Sequence, residues 1–383
     1  MSLSSNPGPR PKAVSDWSRL MRELGPRFAE RAGVHDANDS FVAENFAELR
    51  ARGVFAAGVP AELGGGGASY ADLAGMLRTL AYYCSSTALA LSMHTHVVAA
   101  AAWRWRRDPE SSARLLRRIA DENLIVVSSG ASDWLTPSGT ASRVEGGWSI
   151  NARKIFASGI PAGDMLMTQA IYDDPETGPT VLHFAIPVKD PGVAPQDSWY
   201  VLGMRGTGSQ DVIISNVFVP DSEILLRRPA GKLSAPFHLS PGMIPLPLVC
   251  AVYLGVAEAA HEIAVVIARK RPNDHGLPYL VGEMHNDLAC ATMAYRDMVE
   301  AAVSGEPGPA TTNRVWTGRT LLGRAAIDVV EKAMEVAGAG SFYRTSALER
   351  LFRDIQGARF HRPQERSQLR FSGRLALGLD PDE

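Results

Sequence analysis

The residues best suited to chemistry lie in a glycine-rich turn within Leu202–Pro220 (LGMRGTGSQDVIISNVFVP), which leads into a β-branched run. Gly206 and Gly208 flank Thr207, and Ser209 follows, so small residues let a flat ligand approach the backbone closely. The hydroxyls of Thr207 and Ser209 can hydrogen-bond the polar edge of such a ligand. The alternative interpretation is an ordinary turn that precedes a strand.

A second segment, Gly146–Thr168 (GGWSINARKIFASGIPAGDMLMT), offers an aromatic ring and a hydroxyl two positions apart. Because side chains alternate along a strand, Phe156 and Ser158 are predicted to lie on the same face. An aromatic wall and a hydroxyl would then meet the same flat ligand. The alternative is a strand with a buried phenylalanine and a serine in the following turn.

Taken together, the two segments closely resemble the middle domain of the acyl-CoA dehydrogenase superfamily of flavoproteins. The resemblance covers nearly the whole chain. Val59–Gly67 (VPAELGGGG) is similar to the family's N-terminal loop, and Glu331–Phe342 (EKAMEVAGAGSF) and Leu351–Asp354 (LFRD) are similar to its C-terminal flavin segment. The resemblance implies a flavin, either bound FAD or reduced FMN or FAD used as a co-substrate.

The resemblance also assigns flavin contacts to the middle domain. Phe156 and Ser158 stand where the family commonly has tryptophan and threonine beside the flavin ring, and both replacements keep the chemistry. Ser128, Ser129 and Gly130 would line the edge of the flavin, as the family's first middle-domain strand does.

The pyrophosphate of FAD implies a further set of contacts near the C-terminus. Arg269 and Arg271 end a long predicted helix where the family places a phosphate-binding arginine, and the spacing leaves the choice between them open. In the family this arm reaches a neighbouring subunit, which would bring Glu335, Gly338 and Gly340 near a partner's cofactor. The resemblance therefore implies a homo-oligomer, either a dimer or a homotetramer.

The catalytic glutamate of the family is missing from both of its usual positions. In the dehydrogenases this residue removes the α-proton of an acyl thioester while hydride passes to the flavin. One usual position falls in Asp354–Pro363 (DIQGARFHRP), where no carboxylate follows Asp354 and Arg362 occupies the expected place beside His361. The other falls in Met243–Gly255 (MIPLPLVCAVYLG), which contains no acid.

A chain of this family that lacks the base but carries histidines resembles its flavin-dependent monooxygenase branch, which uses reduced flavin and O₂. In that reaction Ser158 would hydrogen-bond the flavin, and His361 or His94 would give and retake a proton near neutral pH. For His94, the alternative is a hydrogen-bonded core histidine. The predicted catalytic residues are His361, His94 and Ser158.

The predicted substrate contacts come from three parts of the chain, and they are His94, His96, Arg205, Ser209 and Arg362. Three functions fit these residues. The first is an FAD-dependent oxidation of an acyl-CoA-type substrate, a CoA thioester, at a CH–CH bond. The second is a two-component monooxygenase that works with a flavin reductase, and the third is a non-catalytic flavin-binding member of the family.

Composition excludes several other classes of protein. With 39 basic and 41 acidic residues among 383, the chain carries no charge excess that would favour nucleic acid or a membrane surface. The arginines of Arg104–Arg107 are interpreted as a solvated helix face. Cys84, Cys250 and Cys290 have neither disulfide nor metal spacing, so we expect buried thiols in a cytoplasmic protein and no metal site.

The elements that must position these residues follow from hydrophobic periodicity. Helical spacing extends over Asp16–Asp121 and returns after Leu233, with Ser69 as a helix N-cap and Gly338 as a helix C-cap. Between them come short β-rich runs, which are Leu124–Ser128, Trp148–Ile150, Met165–Ile171, Val181–Val188 and Val212–Val219. We therefore predict an α+β fold: an N-terminal helical domain (1–122), a middle β-barrel or sandwich domain (123–233) and a C-terminal helical bundle (234–383), the order of the acyl-CoA dehydrogenase fold.

Overall fold

The computed structural model describes residues 16–129 and 134–381, in which helices precede and follow a central sheet, so the predicted α+β fold is confirmed. Five α-helices come before the sheet: α1 (Trp17–Ala37), α2 (Ala43–Ala51), α3 (Tyr70–Tyr83), α4 (Ser85–Arg107) and α5 (Ala113–Glu122). Six follow it: α6 (Ala235–Leu239), α7 (Pro245–Ala268), α8 (Leu277–Ser304), α9 (Pro309–Ala337), α10 (Ala347–Ile355) and α11 (Glu365–Ala376).

Within the described residues, eight strands form the sheet: β1 (Val126–Ser128), β2 (Thr140–Val144), β3 (Gly147–Ala157), β4 (Met165–Asp174), β5 (Gly178–Pro187), β6 (Val193–Pro195), β7 (Gln210–Pro220) and β8 (Ile224–Pro229). Hydrogen-bonded neighbours follow the order β6-β7-β3-β2-β4-β5-β8, and β1 pairs with β4 in parallel. Each predicted β-rich run overlaps one of these strands. The sequence patterns miss β2, β6 and β8, because these strands are short and largely solvent-accessible.

Local signals set the ends of two helices as predicted. The Ser69 hydroxyl accepts a hydrogen bond from the Asp72 amide, and the Ser69 amide donates to the Asp72 carboxylate, which completes a capping box at the start of α3. Gly338 ends α9 with a φ of +73°, a left-handed value that favours glycine.

Helix α7 is the centre of the C-terminal bundle. Its length and hydropathy would allow a membrane span, yet 61% of its most apolar window is buried, as in the core helix of a globular protein. It packs against α3 and α9, and the approach to α3 is close because Gly255 carries no side chain. A Cβ at Gly255 would lie 2.2 Å from the carbonyl oxygen of Arg78.

The segment Leu351–Asp354 ties the helical parts of the fold to the glycine-rich turn. The Ser85 hydroxyl of α4 and the Met204 amide of the turn both donate to the buried carboxylate of Asp354. Arg353 donates to Asp36 at the end of α1 over 2.8 Å. The motif that the resemblance associates with flavin binding therefore has a structural role between elements distant in sequence.

The cysteine prediction is correct for two of the three thiols. Cys84 and Cys250 are buried, whereas Cys290 is exposed. The prediction of a buried Cys290 is wrong because its neighbouring apolar residues lie on the other side of α8, where Ala291 and Ala294 pack inward.

Candidate functional site

A cavity of about 800 Å³ lies where α4, the sheet and the C-terminal segment meet. Its volume falls within the roughly 300–1,000 Å³ typical of cofactor and small-molecule sites. This main cavity is lined, among others, by His96 and Arg104 of α4, by Ser128, Ser129, Phe156 and His183 of the sheet, and by Phe237, Trp316, His361 and Arg362. The fold thus brings together six of the residues predicted from the sequence: Ser128, Ser129, Phe156, His96, His361 and Arg362.

Phe156 presents an aromatic face to the main cavity, but by a different geometry from the one predicted. Its φ is +58°, and the pairing of β3 with β7 shifts register between Lys154 and Ala157. The ring is 55% exposed and meets Trp199 edge-on, with 5.9 Å between ring centroids. The bulge breaks the strand alternation, so the prediction that Phe156 and Ser158 share one face is wrong.

Ser158 and Ser209 lie behind the wall of the main cavity rather than in it. Ser158 is only 7% exposed, and its hydroxyl shares a hydrogen bond of 2.7 Å with that of Ser209. The Ser209 hydroxyl shares a second bond of 2.7 Å with that of Thr207. The two serines do not line the main cavity. These hydroxyls hold the glycine-rich turn against the end of β3, and their contacts with flavin and substrate stay predictions.

His94 has a structural role in the core. It is 2% exposed, with Nε2 lying 2.7 Å from the carbonyl oxygen of Phe55, while Nδ1 accepts from the amide of Val126 over 3.0 Å. Burial lowers its pKa to about 4, against the raising effect of both backbone bonds. Both ring nitrogens are thus occupied by backbone groups and the ring does not line the main cavity, and the catalytic and substrate-binding roles of His94 stay predictions.

His96, two residues further along α4, does face the main cavity. Its Nδ1 lies 3.0 Å from the carbonyl oxygen of Ser92, which can only accept, so Nδ1 carries the hydrogen. The bare Nε2 then accepts from the Ser128 hydroxyl at 3.3 Å. Burial lowers the pKa of His96 to about 4, so the ring is neutral at pH 7 and offers a hydrogen-bond acceptor beside the cavity.

His361 is the lining histidine whose ring has no hydrogen bond to any described residue. Burial first, and the nearby Arg319 guanidinium second, lower its pKa to about 4. Arg319 also fixes the backbone here, donating to the carbonyl oxygens of Ala358 and His361 over 2.7 and 2.6 Å. The His361 ring is therefore neutral at pH 7 and its nitrogens are available to a ligand.

A second, small cavity lies directly behind His361. Its lining includes His361, Arg319 and Tyr253, and its volume of about 10 Å³ is close to the minimum for one water, about 10–15 Å³. The Tyr253 hydroxyl is buried without a hydrogen-bond partner among the described residues, and its ring centroid lies 5.5 Å from that of His361. The unpartnered Tyr253 hydroxyl is thus a polar group close to the His361 ring.

Arg205 lies away from the main cavity. Its Nε donates to the carbonyl oxygen of Val201 over 3.0 Å, and it forms an ion pair of 3.5 Å with Asp39 after α1. The residue does not line the main cavity, and its substrate contact stays a prediction. Arg205 instead fastens the glycine-rich turn to the N-terminal helices.

The predicted phosphate arm forms a separate site at the ends of α7 and α9. Arg271 donates to the carbonyl oxygen of Val336. A Cβ added at Gly338 would lie 3.9 Å from Nη1 of Arg271. Its Nε is buried without a partner among the described residues, while Arg269 is exposed. Glu335 and Gly340 are also exposed, and none of these residues lines the main cavity. Gly130, predicted at the flavin edge, lies outside the described residues.

Carboxylates are scarce at the main cavity. Among its described lining residues the acids are Glu110, which is exposed, and Glu223, which is paired with Arg114. The buried Asp354 is occupied by Ser85 and Met204 and does not line the cavity. At both positions where the family carries its base, the structure offers no acid to an α-proton.

Sequence analysis missed several lining residues. Arg104 is half-buried and lines the main cavity, so the interpretation of Arg104–Arg107 as a fully solvated face is wrong for this residue. His183 lies in an apolar strand, where nothing distinguishes it from a core histidine. Trp316 and Phe237 come from helices whose faces only the tertiary fold assigns.

Comparisons with known proteins agree with this fold. The acyl-CoA dehydrogenase N-terminal domain matches residues 19–123, and the acyl-CoA dehydrogenase C-terminal domain matches residues 248–365. The putative acyl-CoA dehydrogenase YdbM of Bacillus subtilis (strain 168) is 29% identical over 367 residues, 91% of this chain and 92% of that protein. The dibenzothiophene monooxygenase of Mycolicibacterium goodii is 28% identical over 381 residues, 91% of this chain and 90% of that protein.

A solved structure extends the likeness to three dimensions. KijD3 in complex with FMN and dTDP-3-amino-2,3,6-trideoxy-4-keto-3-methyl-D-glucose has a TM-score of 0.87 and 27% identity, covering 97% of this chain and 96% of its own. The two matched domains account for more than half of the residues, and the fold agrees over nearly the full length. The chain therefore belongs to the acyl-CoA dehydrogenase superfamily and is a flavin-dependent oxidoreductase.

Proposed function

We propose that this protein is a two-component flavin-dependent monooxygenase, which takes reduced flavin from a separate reductase and oxygenates a small molecule. The observation that carries the proposal is the described lining of the main cavity, where the neutral His361 lies beside Arg362, the residue that stands at the position of the dehydrogenases' glutamate. The similarity to a dibenzothiophene monooxygenase and to an FMN-containing structure supports it. A cytoplasmic location and the reductase partner are part of the proposal.

The main cavity fits a flavin ring by the chemistry of its walls. Phe156 offers an aromatic face that no other ring stacks against, and the Ser128 hydroxyl lies at the cavity edge. The Ser129 hydroxyl donates to Thr168 over 2.8 Å and keeps its lone pairs for a further donor. A bound reduced flavin would supply the electrons that activate O₂.

His361 is the residue we assign to proton transfer. Because its pKa is lowered to about 4, the ring is neutral at pH 7, with one bare nitrogen and one N–H. It can accept a proton from the substrate at the bare nitrogen and donate a hydrogen bond from the other. We propose that it gives and retakes the proton from the neutral ring, because the lowered pKa disfavours a stored imidazolium at pH 7.

The site at Arg271 is the proposed phosphate contact. An unpaired buried guanidinium nitrogen beside the Gly338 turn suits a phosphate oxygen. The next aromatic residues, Phe342 and Tyr343, are 85% and 69% exposed, as expected if a second copy of the chain covers them. We therefore propose that a homo-oligomer completes the flavin site, with Arg271 of one copy reaching the flavin of another.

Anaerobic mixing with acyl-CoAs tests the assignment against the dehydrogenase alternative. The oxidised, flavin-loaded protein is mixed with short-chain, medium-chain and aromatic acyl-CoAs, and flavin absorbance is followed. We expect no bleaching, because the carboxylates among the described lining residues are the exposed Glu110 and the Arg114-paired Glu223. Dithionite serves as the control that the bound flavin can be reduced. Bleaching by any thioester would contradict the monooxygenase assignment and favour the acyl-CoA dehydrogenase alternative.

A further inference from the structure

One wall of the main cavity carries an arginine without a carboxylate partner among the described residues. Arg104 lies in the last turn of α4, half-buried, and burial lowers its pKa. Two other lining arginines are neutralised, since Arg114 pairs with Glu223 and Arg118 donates to Glu122 over 2.9 Å, and Arg362 is exposed to solvent. A half-buried cation without a counterion is costly, so this position favours an anionic ligand.

His183 adds a hydrogen-bond donor to the same cavity. The Nε of Arg228 donates to His183 Nε2 over 3.0 Å, so that nitrogen is bare and the hydrogen of the neutral ring sits on Nδ1. His183 is 7% exposed and lines the main cavity. Its Nδ1–H has no partner among the described residues, which leaves this donor to a ligand.

The surroundings of His183 are positively charged. Arg228 is 3% exposed, and it donates to the carbonyl oxygens of Trp134 and Pro229 rather than to any described carboxylate. Lys154 is also buried, with its Nζ 2.6 Å from the carbonyl oxygen of Ser138. Burial first, and then Arg228, Arg104 and Lys154, lower the pKa of His183 to about 3.

We propose that Arg104 and His183 bind an oxyanion of the substrate, a carboxylate or a group of similar size and charge. Arg104 supplies the opposite charge and His183 Nδ1 supplies a directed hydrogen bond. The cavity around them is largely aromatic and apolar, with Trp134, Phe237 and Trp316 in its lining. The substrate class is therefore an apolar or aromatic acid, and Glu110 is an exposed acid in the same lining.

The identification of this ligand as substrate rests on the proposed function, because a flavin phosphate carries the same oxyanion chemistry. The test separates the two sources. Indole-3-acetate and indole-3-acetamide match in shape and differ in charge, and their affinities are measured by calorimetry on the protein saturated with oxidised FMN, without turnover. FMN and riboflavin affinities are measured on the flavin-free protein in parallel.

We expect the wild type to bind indole-3-acetate at least about tenfold more tightly than the amide, the effect of a charge-assisted hydrogen bond. Arg104→Gln should bring the ratio close to one and leave the FMN-to-riboflavin ratio unchanged. Arg106→Gln, on the exposed side of the same helix, is the matched control and should keep the wild-type ratio.

Two results would overturn the proposal. One is equal affinity for acid and amide, or no binding of either, in the wild type. The other is a loss of FMN over riboflavin preference in Arg104→Gln, which would assign the anion site to the flavin phosphate. Because binding is measured without O₂ chemistry, failure of the monooxygenase proposal would not alter this outcome.

Discussion

Histidines show how far a residue type alone predicts a role. His94 and His96 are separated by one residue on α4, yet His94 binds two backbone groups in the core while His96 faces the main cavity. Residues two apart on a helix point to different sides, so only one of these two histidines can face the cavity. Which side is the core depends on Phe55 and Val126, which lie far away in sequence.

The His361 ring should matter for turnover and little for folding. His361→Gln removes a proton acceptor whose ring makes no hydrogen bond to a described residue, so no partner is left unpaired. We expect kcat to fall about 10²–10⁴-fold, the usual contribution of a general acid–base group, with an unchanged thermal midpoint. The exposed His275→Gln is the matched control. Normal turnover by the His361 variant would remove this residue from the mechanism.

His94→Ala should have the opposite effect. The substitution leaves the Phe55 carbonyl and the Val126 amide without partners in a buried site. We expect the free energy of unfolding to fall by about 2–4 kcal/mol, measured by urea denaturation. Retention of wild-type stability together with lost turnover would mean that His94 has a catalytic role after all.

At the scale of elements, irregular backbone was the part that periodicity did not predict. The helices and long strands follow from apolar spacing and capping residues such as Ser69 and Gly338. The bulge at Phe156 does not, because a left-handed φ at a phenylalanine has no local sequence signal. This one irregularity turns Phe156 into the cavity and places Ser158 behind it.

The close crossing of α3 and α7 predicts a specific sensitivity at Gly255. A Cβ there would lie 2.2 Å from a backbone oxygen, whereas a Cβ at Gly282 in α8 would meet nothing within 4 Å. We expect Gly255→Ala to lower the free energy of unfolding by about 1–3 kcal/mol or more. Gly282→Ala should raise it by about 0.5–1 kcal/mol through helix propensity. Equal effects of the two substitutions in urea denaturation would contradict this packing.

At the scale of the whole molecule, the sequence predicted the family, the layering and six of the cavity's lining residues. It did not predict the electrostatics. Arg104 looks like its exposed neighbour Arg106, and His183 looks like any strand histidine, because their roles depend on which surfaces meet. Only the assembled cavity shows that cations outnumber acids along its walls.

The buried histidines predict an acid sensitivity of the folded state. The pKa values of His94, His96 and His361 are lowered to about 4 and that of His183 to about 3. An unfolded histidine titrates near 6.5, so the unfolded chain binds more protons than the folded chain between these values. The free energy of unfolding should therefore fall as pH falls from about 6.5 to 4. A constant value between pH 7.5 and 5 in urea denaturation would contradict these environments.

Reoxidation of reduced flavin tests the central claim most directly. Protein with reduced FMN is mixed with O₂ in a stopped-flow instrument, and flavin absorbance and H₂O₂ are followed beside free FMN. The proposed oxygenation site has the aromatic ring of Phe156 in its wall and a neutral His361. It should give biphasic reoxidation, with H₂O₂ released later than from free FMN. A single phase matching free FMN, in a protein that also bleaches anaerobically with an acyl-CoA, would contradict the account.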